Sequence, residues 1–350
     1  MSSAVNRPVS QQAAPSVSVG DWMPRITLPT AAGPLFDSAD PETAGQARIY
    51  WLGNPPTAAE AAHLSGTLES WETLLHIVAP APPAAAETYP SWLLDPAGEL
   101  GRAFGATGSL AVMVDALGRV AALLTEPTPG GAAVLAMQLY GASAPAVVKA
   151  KAPVLLLERV MEPALRQALM EYWRHGDQVA NRVGASSGNV VNEDVKRRID
   201  VQVDDPKLFV QVRDCLVRRV VPAILQAFHT EIGVIEAPII GCYDAEAGGK
   251  FNRHRDNTSS HNAHRQFALT LNLNGPDEYE GGEVRFAEFG RDLYCAPAGG
   301  AVIFSTSLLH EVIPVRRGRR FGVFTFLSTT GPAASAMPTT RYAATPRQKR

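Results

Sequence analysis

Apolar positions along the chain fall into three regimes. Between residues 19 and 145, short apolar runs alternate with helical stretches. Arg48–Leu52 and His76–Ala79 read as short buried strands, and Thr57–Trp71, rich in Ala, Leu and Glu, reads as a helix between them. Leu110–Asp115 and Val120–Leu124, separated by Ala-Leu-Gly-Arg, predict a hairpin, and Gly131–Tyr140 predicts a closing helix. The order βαβ, then ββα, predicts a small α/β layer domain. The stretch 144–153, APAVVKAKAP, predicts a linker.

The second regime is helical. After an apolar entry run at Val154–Leu157, Glu162–Tyr172 predicts a helix with Pro163 in its tolerant first turn. Leu208, Val212, Leu216, Val220, Ile224 and Phe228 recur every fourth residue, one buried face kinked or split at Pro222. From Ile239 the period becomes two: Phe267, Leu269, Leu271 and Leu273 alternate with Ala268, Thr270, Asn272 and Asn274. Gly282–Phe286, Ala301–Phe304 and Phe321–Leu327 are further short strands between Gly/Pro turns. Many strands preceded by helices predict an antiparallel double-sheet or jelly-roll barrel.

Composition bounds this picture. The 350 residues favour two domains. A net charge of -2 argues against a protein held on nucleic acid by a basic face. No apolar stretch is long enough to span a bilayer, and the N-terminal residues lack the apolar core of a secretory signal. Residues 1–18 and 331–350 predict solvated tails, the second one basic. Cys215, Cys242 and Cys295 are widely spaced and form no CxxC, which predicts three reduced thiols in a cytoplasmic protein.

Three His-x-acid pairs occur, His175/Asp177, His229/Glu231 and His254/Asp256, where chance composition gives roughly 0.8. The first two end helices, where a histidine meets the helix dipole favourably. The third follows an apolar run and a Gly-rich turn. In an extended segment His254 and Asp256 project to one side, and His310 after the strand AVIFSTS offers a third ligand. Two histidines and one carboxylate leave three positions open, a set that suits non-haem Fe(II) with a co-substrate and O2. A dicarboxylate co-substrate also needs its far end neutralised, which the planar fork of an arginine does. Arg320 shares parity with Gly322, Phe324 and Phe326 and is preferred over Arg316, Arg317 and Arg319, which fall in the turn PVRRGR.

Two resemblances organise these observations. GDWMPRITLPTAAGPLF, RIYWLGNPPTAAEAAHL, LLDPAGELGRAFGA and LAVMVDALGRVAALL resemble the peroxiredoxin branch of the thioredoxin-like fold. That family carries a thiol at the start of the helix after its first core strand, where Asn54-Pro55-Pro56-Thr57-Ala58 stands here. With no cysteine before Cys215, thiol peroxidase chemistry is excluded from this half, and a docking or stabilising module is expected. GCYDAEAGGKFNRHRDN, RQFALTLNLN, YEGGEVRF and PAGGAVIFSTSLLHEVIPVRRGRRFGVFTFL resemble the prolyl 4-hydroxylase-type group of Fe(II)/2-oxoglutarate dioxygenases.

The resemblances imply an α/β plus α+β chain: a thioredoxin-like domain over 19–145 and a double-stranded β-helix, or jelly roll, with supporting helices over 150–328. They imply iron on His254, Asp256 and His310, 2-oxoglutarate paired with Arg320 and hydrogen-bonded by Tyr243, and ascorbate as reductant. Thr270 and Asn272 are candidates for lining that pocket, or else ordinary strand polarity. His261 and His264 are substrate contacts or polar loop residues, and Tyr279 a turn aromatic. The carboxylate at 256 favours oxygenation over halogenation. The expected reaction is hydroxylation of a prolyl or other peptide side chain, or of a small metabolite. The rival reading is a non-catalytic binding or sensing protein that kept both folds.

Overall fold

The computed structural model describes residues 17–40, 45–85, 88–140, 151–180, 182–185, 188–191, 194–329 and 339–341. The chain divides into two compact units, Met1–Ala144 and Pro145–Arg350. The expected linker residues 144–150 and most of both expected tails lie outside the described residues.

In the first unit, β1 (Thr27–Pro29) and β2 (Leu35–Asp37) form an antiparallel hairpin. There follow β3 (Ala47–Leu52), α1 (Ala58–Glu69), β4 (Thr73–Ala79), β5 (Trp92–Leu94), α2 (Glu99–Ala103), β6 (Leu110–Val114), β7 (Val120–Thr125) and α3 (Pro129–Tyr140). The sheet order is β5-β4-β3-β6-β7. β3–β4 and β4–β5 are parallel, and β3–β6 and β6–β7 antiparallel. The βαβ–ββα order expected from the pattern is present. Thr57 starts α1 by a capping box with Glu60, which satisfies two backbone donors at the helix entry. Ala61, Leu64 and Leu68 of α1 pack with Ala132 and Ala136 of α3 over one sheet face. Ile26, Leu100 and Phe104 cover the other.

The second unit begins with β8 (Val154–Leu157), α4 (Pro163–His175), β9 (Val179–Ala180), β10 (Arg182–Ala185), β11 (Gly188–Val191), β12 (Lys196–Arg197) and β13 (Ile199–Gln202). Then come α5 (Pro206–Arg219), α6 (Val221–Phe228), β14 (Val234–Glu236), β15 (Ile239–Asp244), β16 (Lys250–His254) and β17 (Phe267–Asn272). The chain continues through β18 (Tyr279–Gly281), β19 (Val284–Arg285), β20 (Leu293–Tyr294), β21 (Ala301–Ser305), β22 (His310–Val312), β23 (Val315–Ser328) and β24 (Thr339–Arg341).

The expected helix over 208–228 is indeed split: α5 ends at Arg219, and Pro222 stands in the first turn of α6. α4 runs three residues beyond its expected end, to His175.

Two antiparallel sheets make the jelly-roll core. The larger runs β8-β21-β17-β23-β15-β13-β9, and the smaller runs β12-β16-β22-β19-β20. An apolar cluster of Tyr243, Phe251, Val312, Val315 and Phe324 joins residues of both sheets.

Three expectations need correction. The segment PVRRGR is not a turn: Val315–Arg319 open the 14-residue strand β23, because β18 pairs with it, Tyr279 opposite Gly318. Tyr279 is for the same reason a buried strand residue rather than a turn aromatic. Thr339–Arg341, inside the expected tail, pair with Val234–Glu236.

Candidate active site

The smaller sheet brings three predicted ligands together. His254 ends β16, His310 opens β22, and the two are register partners across that pair, beside an irregularity between Phe251 and His254. Asp256 lies just past the strand end, where its backbone N–H donates to the Thr306 carbonyl at 3.0 Å. Its Oδ1 is 3.3 Å from His254 Nε2 and its Oδ2 is 3.4 Å from His310 Nε2. One ligand atom from each residue lies within 4.8 Å of the other two. Neither His175/Asp177 nor His229/Glu231 joins such a group among the described residues. His175 meets Glu171 on the surface of α4, and His229 caps α6 in the left-handed conformation.

Tautomers follow from the backbone. His254 Nδ1 is 2.7 Å from the Asn252 carbonyl, and His310 Nδ1 is 2.9 Å from the Leu308 carbonyl. A carbonyl only accepts, so each Nδ1 carries the proton and each Nε2 presents a lone pair. Two lone pairs and a carboxylate therefore face one another, an arrangement that repels unless a cation sits among them. Phe251 stacks on His254 at 3.7 Å between centroids, and Phe304 meets His310 edge-on at 4.6 Å. Burial pushes the His310 imidazole below its usual range, with Asp256 opposing. Burial alone would raise the Asp256 carboxyl; the positive charge that the His254 and His310 imidazoles carry when protonated, together with Arg265, outweighs it and holds it low. The donor set fits a divalent metal with positions left open.

The larger sheet assembles a second group around Arg320, which is buried. Its Nε donates to Asn272 Oδ1 at 3.1 Å, Nη2 donates to Asn272 Oδ1 at 2.9 Å and Thr270 Oγ1 at 2.8 Å, and Nη1 donates to the Gly282 carbonyl at 2.8 Å. These partners are neutral, and none of the ion pairs among the described residues involves Arg320. Four of its five N–H groups are spent on these partners, and the Tyr279 hydroxyl is a further hydrogen-bonding neighbour of the guanidinium. The expected two-pronged fork is thus already used internally. Thr270, which accepts from Arg320, keeps its hydroxyl proton to donate.

Gly282 has φ +77 and must be glycine: a Cβ there would lie 3.0 Å from Arg320 Cδ. Thr270 and Asn272 thus hold the arginine. Arg319, of opposite parity, is exposed and pairs with Asp244 at 2.6 Å.

Tyr243 sits opposite Arg320 in the β15–β23 register and is fully buried. Its ring lies 5.7 Å from the Arg320 guanidinium and 5.5 Å from that of Arg198. Burial raises its hydroxyl pKa, against the two guanidinium charges. Tyr279 was not expected here: its hydroxyl is 3.5 Å from Cys295 Sγ, which also receives Asn272 Nδ2 at 3.5 Å. His264 meets Glu236 at 3.1 Å and His261 is exposed, both outside the metal group.

Sequence reasoning also missed a buried ionic group on the segment 196–200. Lys196 donates to Asp200 Oδ2 at 2.8 Å, and Arg198 grips Asp200 through Nε at 2.5 Å and Nη2 at 3.0 Å. Burial pushes the Lys196 ammonium down to about 8, and the neighbouring Arg198 charge adds to this. The signal was present: Lys196, Arg198 and Asp200 alternate, as same-face residues of an extended segment do.

Residues 239–328 match the family model of the 2OG-Fe(II) oxygenase superfamily. A PKHD-type hydroxylase from Synechococcus sp. is 32% identical over 101 residues, 27% of this chain and 44% of that protein. The chain thus spans under half the length of this relative. One from Teredinibacter turnerae is 28% identical over 182 residues, 49% of this chain and 78% of that protein. A solved prolyl hydroxylase from Trichoplax adhaerens, in complex with a hypoxia inducible factor peptide fragment, aligns with TM-score 0.43 and 13% identity over 51% of this chain and 84% of its own. In its C-terminal half this chain is therefore similar to 2OG-Fe(II) oxygenases and to PKHD-type hydroxylases.

Proposed function

We propose that the protein is an Fe(II)- and 2-oxoglutarate-dependent dioxygenase that hydroxylates an unactivated C–H, with succinate and CO2 as co-products. The carrying observation is the convergence of His254, Asp256 and His310 within 4.8 Å, with both Nδ1 atoms committed to backbone carbonyls. In this reading the triad holds iron, and Arg320, with the Thr270 hydroxyl, receives the far carboxylate of 2-oxoglutarate. Iron and 2-oxoglutarate supply the oxidising chemistry when bound. The protein orients: Tyr243 closes one wall, Asn272 fixes the guanidinium plane, and Phe251, Phe286 and Phe304 keep water from the ligand imidazoles. Ascorbate as external reductant belongs to the same reading.

The substrate class we favour is a prolyl or other peptide side chain, in line with the peptide held by the Trichoplax adhaerens enzyme. For the first unit we propose a thioredoxin-like layer serving docking or stability. Its β4-β3-β6-β7 order, with two parallel strands beside an antiparallel pair and helices α1 and α3 on one face, supports that. Its catalytic position holds Thr57 as a helix cap, so thiol chemistry is not part of it.

The test is direct. Full-length protein with Fe(II) and 2-oxoglutarate under air, offered peptide and metabolite sets, should release succinate. Equal release from Asp256→Ala would overturn the reading.

A further inference from the structure

Arg198 and Asp200 precede the family-matched segment, yet their side chains reach its interior. Asp200 takes two hydrogen bonds from the Arg198 guanidinium and one from Lys196, all three residues being buried. The remaining Arg198 nitrogen, Nη1, donates to Tyr243 Oη at 3.4 Å. The guanidinium also lies 4.0 Å from the centre of the Phe324 ring, which meets Tyr243 edge-on at 6.0 Å. Room for this side chain is built into the opposite strand: a Cβ on Gly241 would stand 2.7 Å from both Arg198 Cδ and Nε. Arg198 therefore runs across β15 over Gly241, where a side chain would collide with it, and ends on the tyrosine that faces Arg320.

A tyrosine hydroxyl has one proton to give and lone pairs to receive. With Arg198 donating to the oxygen, the proton is directed elsewhere. We propose that Arg198, fixed by Asp200, is a positioning residue for Tyr243: it aims the hydroxyl proton at the 2-oxoglutarate bound beside Arg320. This rests on the function proposed above. Lys196 completes the anchor, since its ammonium shares Asp200 and lies 5.5 Å over the Phe251 ring that stacks on His254. One carboxylate thus braces both the co-substrate wall and the metal wall.

The test is a double-mutant cycle on full-length protein loaded with Mn(II), which holds the site without turnover, reading the Kd of 2-oxoglutarate by calorimetry. Tyr243→Phe and Arg198→Lys should each weaken binding, by about three- to tenfold for a lost hydrogen bond. The double variant should be no weaker than Tyr243→Phe alone, because both remove one interaction. Mn(II) affinity should change by less than about twofold throughout. If Arg198→Lys fails to fold, Gly241→Ala, which displaces the same side chain, takes its place in the cycle.

Multiplying effects, or a Tyr243→Phe variant that binds as wild type does, would overturn the positioning role. Arg320→Met separates the two readings. Loss of 2-oxoglutarate binding there, with multiplying effects in the cycle, sinks only this inference. Wild-type binding by Arg320→Met sinks the proposed function itself.

Discussion

His254 and His310 are each held by a carbonyl two residues back in their own segment, whereas Arg320 is held by Thr270, Asn272 and Gly282, separated from it by 38 to 50 residues. The same jelly roll thus positions charge in two ways. At the metal end, short-range backbone bonds set the tautomers, and the long-range work is only to bring two strands into register. At the arginine end, every partner comes from a distant segment, two of them from β17, and the guanidinium is ordered only once the larger sheet is complete. The first arrangement should resist most changes outside the three ligands. The second should be sensitive to many neighbours, each by a modest amount.

Removing a ligand should have the largest effect. Asp256→Ala leaves two lone pairs without the anion that balances a cation, and Mn(II) binding should fall below calorimetric detection, with no succinate formed under Fe(II). Retained micromolar Mn(II) affinity would break the distinction at its metal end. Arg320→Met comes next. It removes a charged donor, a loss on the order of ten- to a hundredfold in 2-oxoglutarate affinity. Mn(II) affinity in that variant should match wild type, because the hydrogen bonds of Arg320 run to Thr270, Asn272 and Gly282 and not to the triad. Loss of both affinities together would mean that the two ends are not separable.

The two ends should also differ in their response to pH. Burial holds His310 below the ordinary histidine range, and Asp256 is held below the ordinary carboxylate range. A depressed pKa keeps each group in its metal-binding form, neutral imidazole and charged carboxylate, to lower pH than the free side chain. The contributions of His310 and Asp256 to Mn(II) affinity should therefore persist as pH falls through about 6.5, the unperturbed histidine value, and be lost only below it. The guanidinium does not titrate there, so Arg320 contributes no slope of its own. The check is an NMR titration of the metal-free protein: a His310 imidazole midpoint at or above about 6.5 would contradict the burial argument.

What the sequence made legible follows the same division. His254-x-Asp256 is a local pattern, and an extended segment places both side chains together without knowledge of the rest. The parity of Arg320 with Phe324 was readable because a strand alternates strictly, and the structure buries Arg320 while exposing Arg319. Three things escaped. The turn assignment of PVRRGR failed because its glycine and arginines look like a loop until Tyr279–Gly281 pairs alongside. The spent donors of Arg320 depend on Asn272 and Gly282 lying across the strand, which no local pattern encodes. Arg198 reaches Tyr243 only because β13 pairs with β15 and Gly241 opens the way. Each miss is a contact between segments far apart in the chain, where the alternation rule names a face but not a neighbour.

The smallest expected effects sharpen the comparison most, because they set two polar neighbours against each other. Thr270→Val keeps the shape of the side chain but removes the acceptor at 2.8 Å from Arg320 Nη2, leaving a buried charged donor unmatched. Affinity for 2-oxoglutarate should drop by about five- to tenfold, and part of that loss should appear as lower stability, by about 1–2 kcal/mol. Asn252→Ala makes the opposite case. What holds His254 is the Asn252 carbonyl, which the substitution keeps; the side chain only donates to the Asp194 carbonyl at 2.8 Å. Mn(II) affinity should therefore stay within about twofold of wild type, and stability within about 1 kcal/mol. Should Asn252→Ala weaken the metal site as much as Thr270→Val weakens the co-substrate site, the metal end would depend on side-chain partners too, and backbone-held and side-chain-held charge would no longer be distinct in this domain.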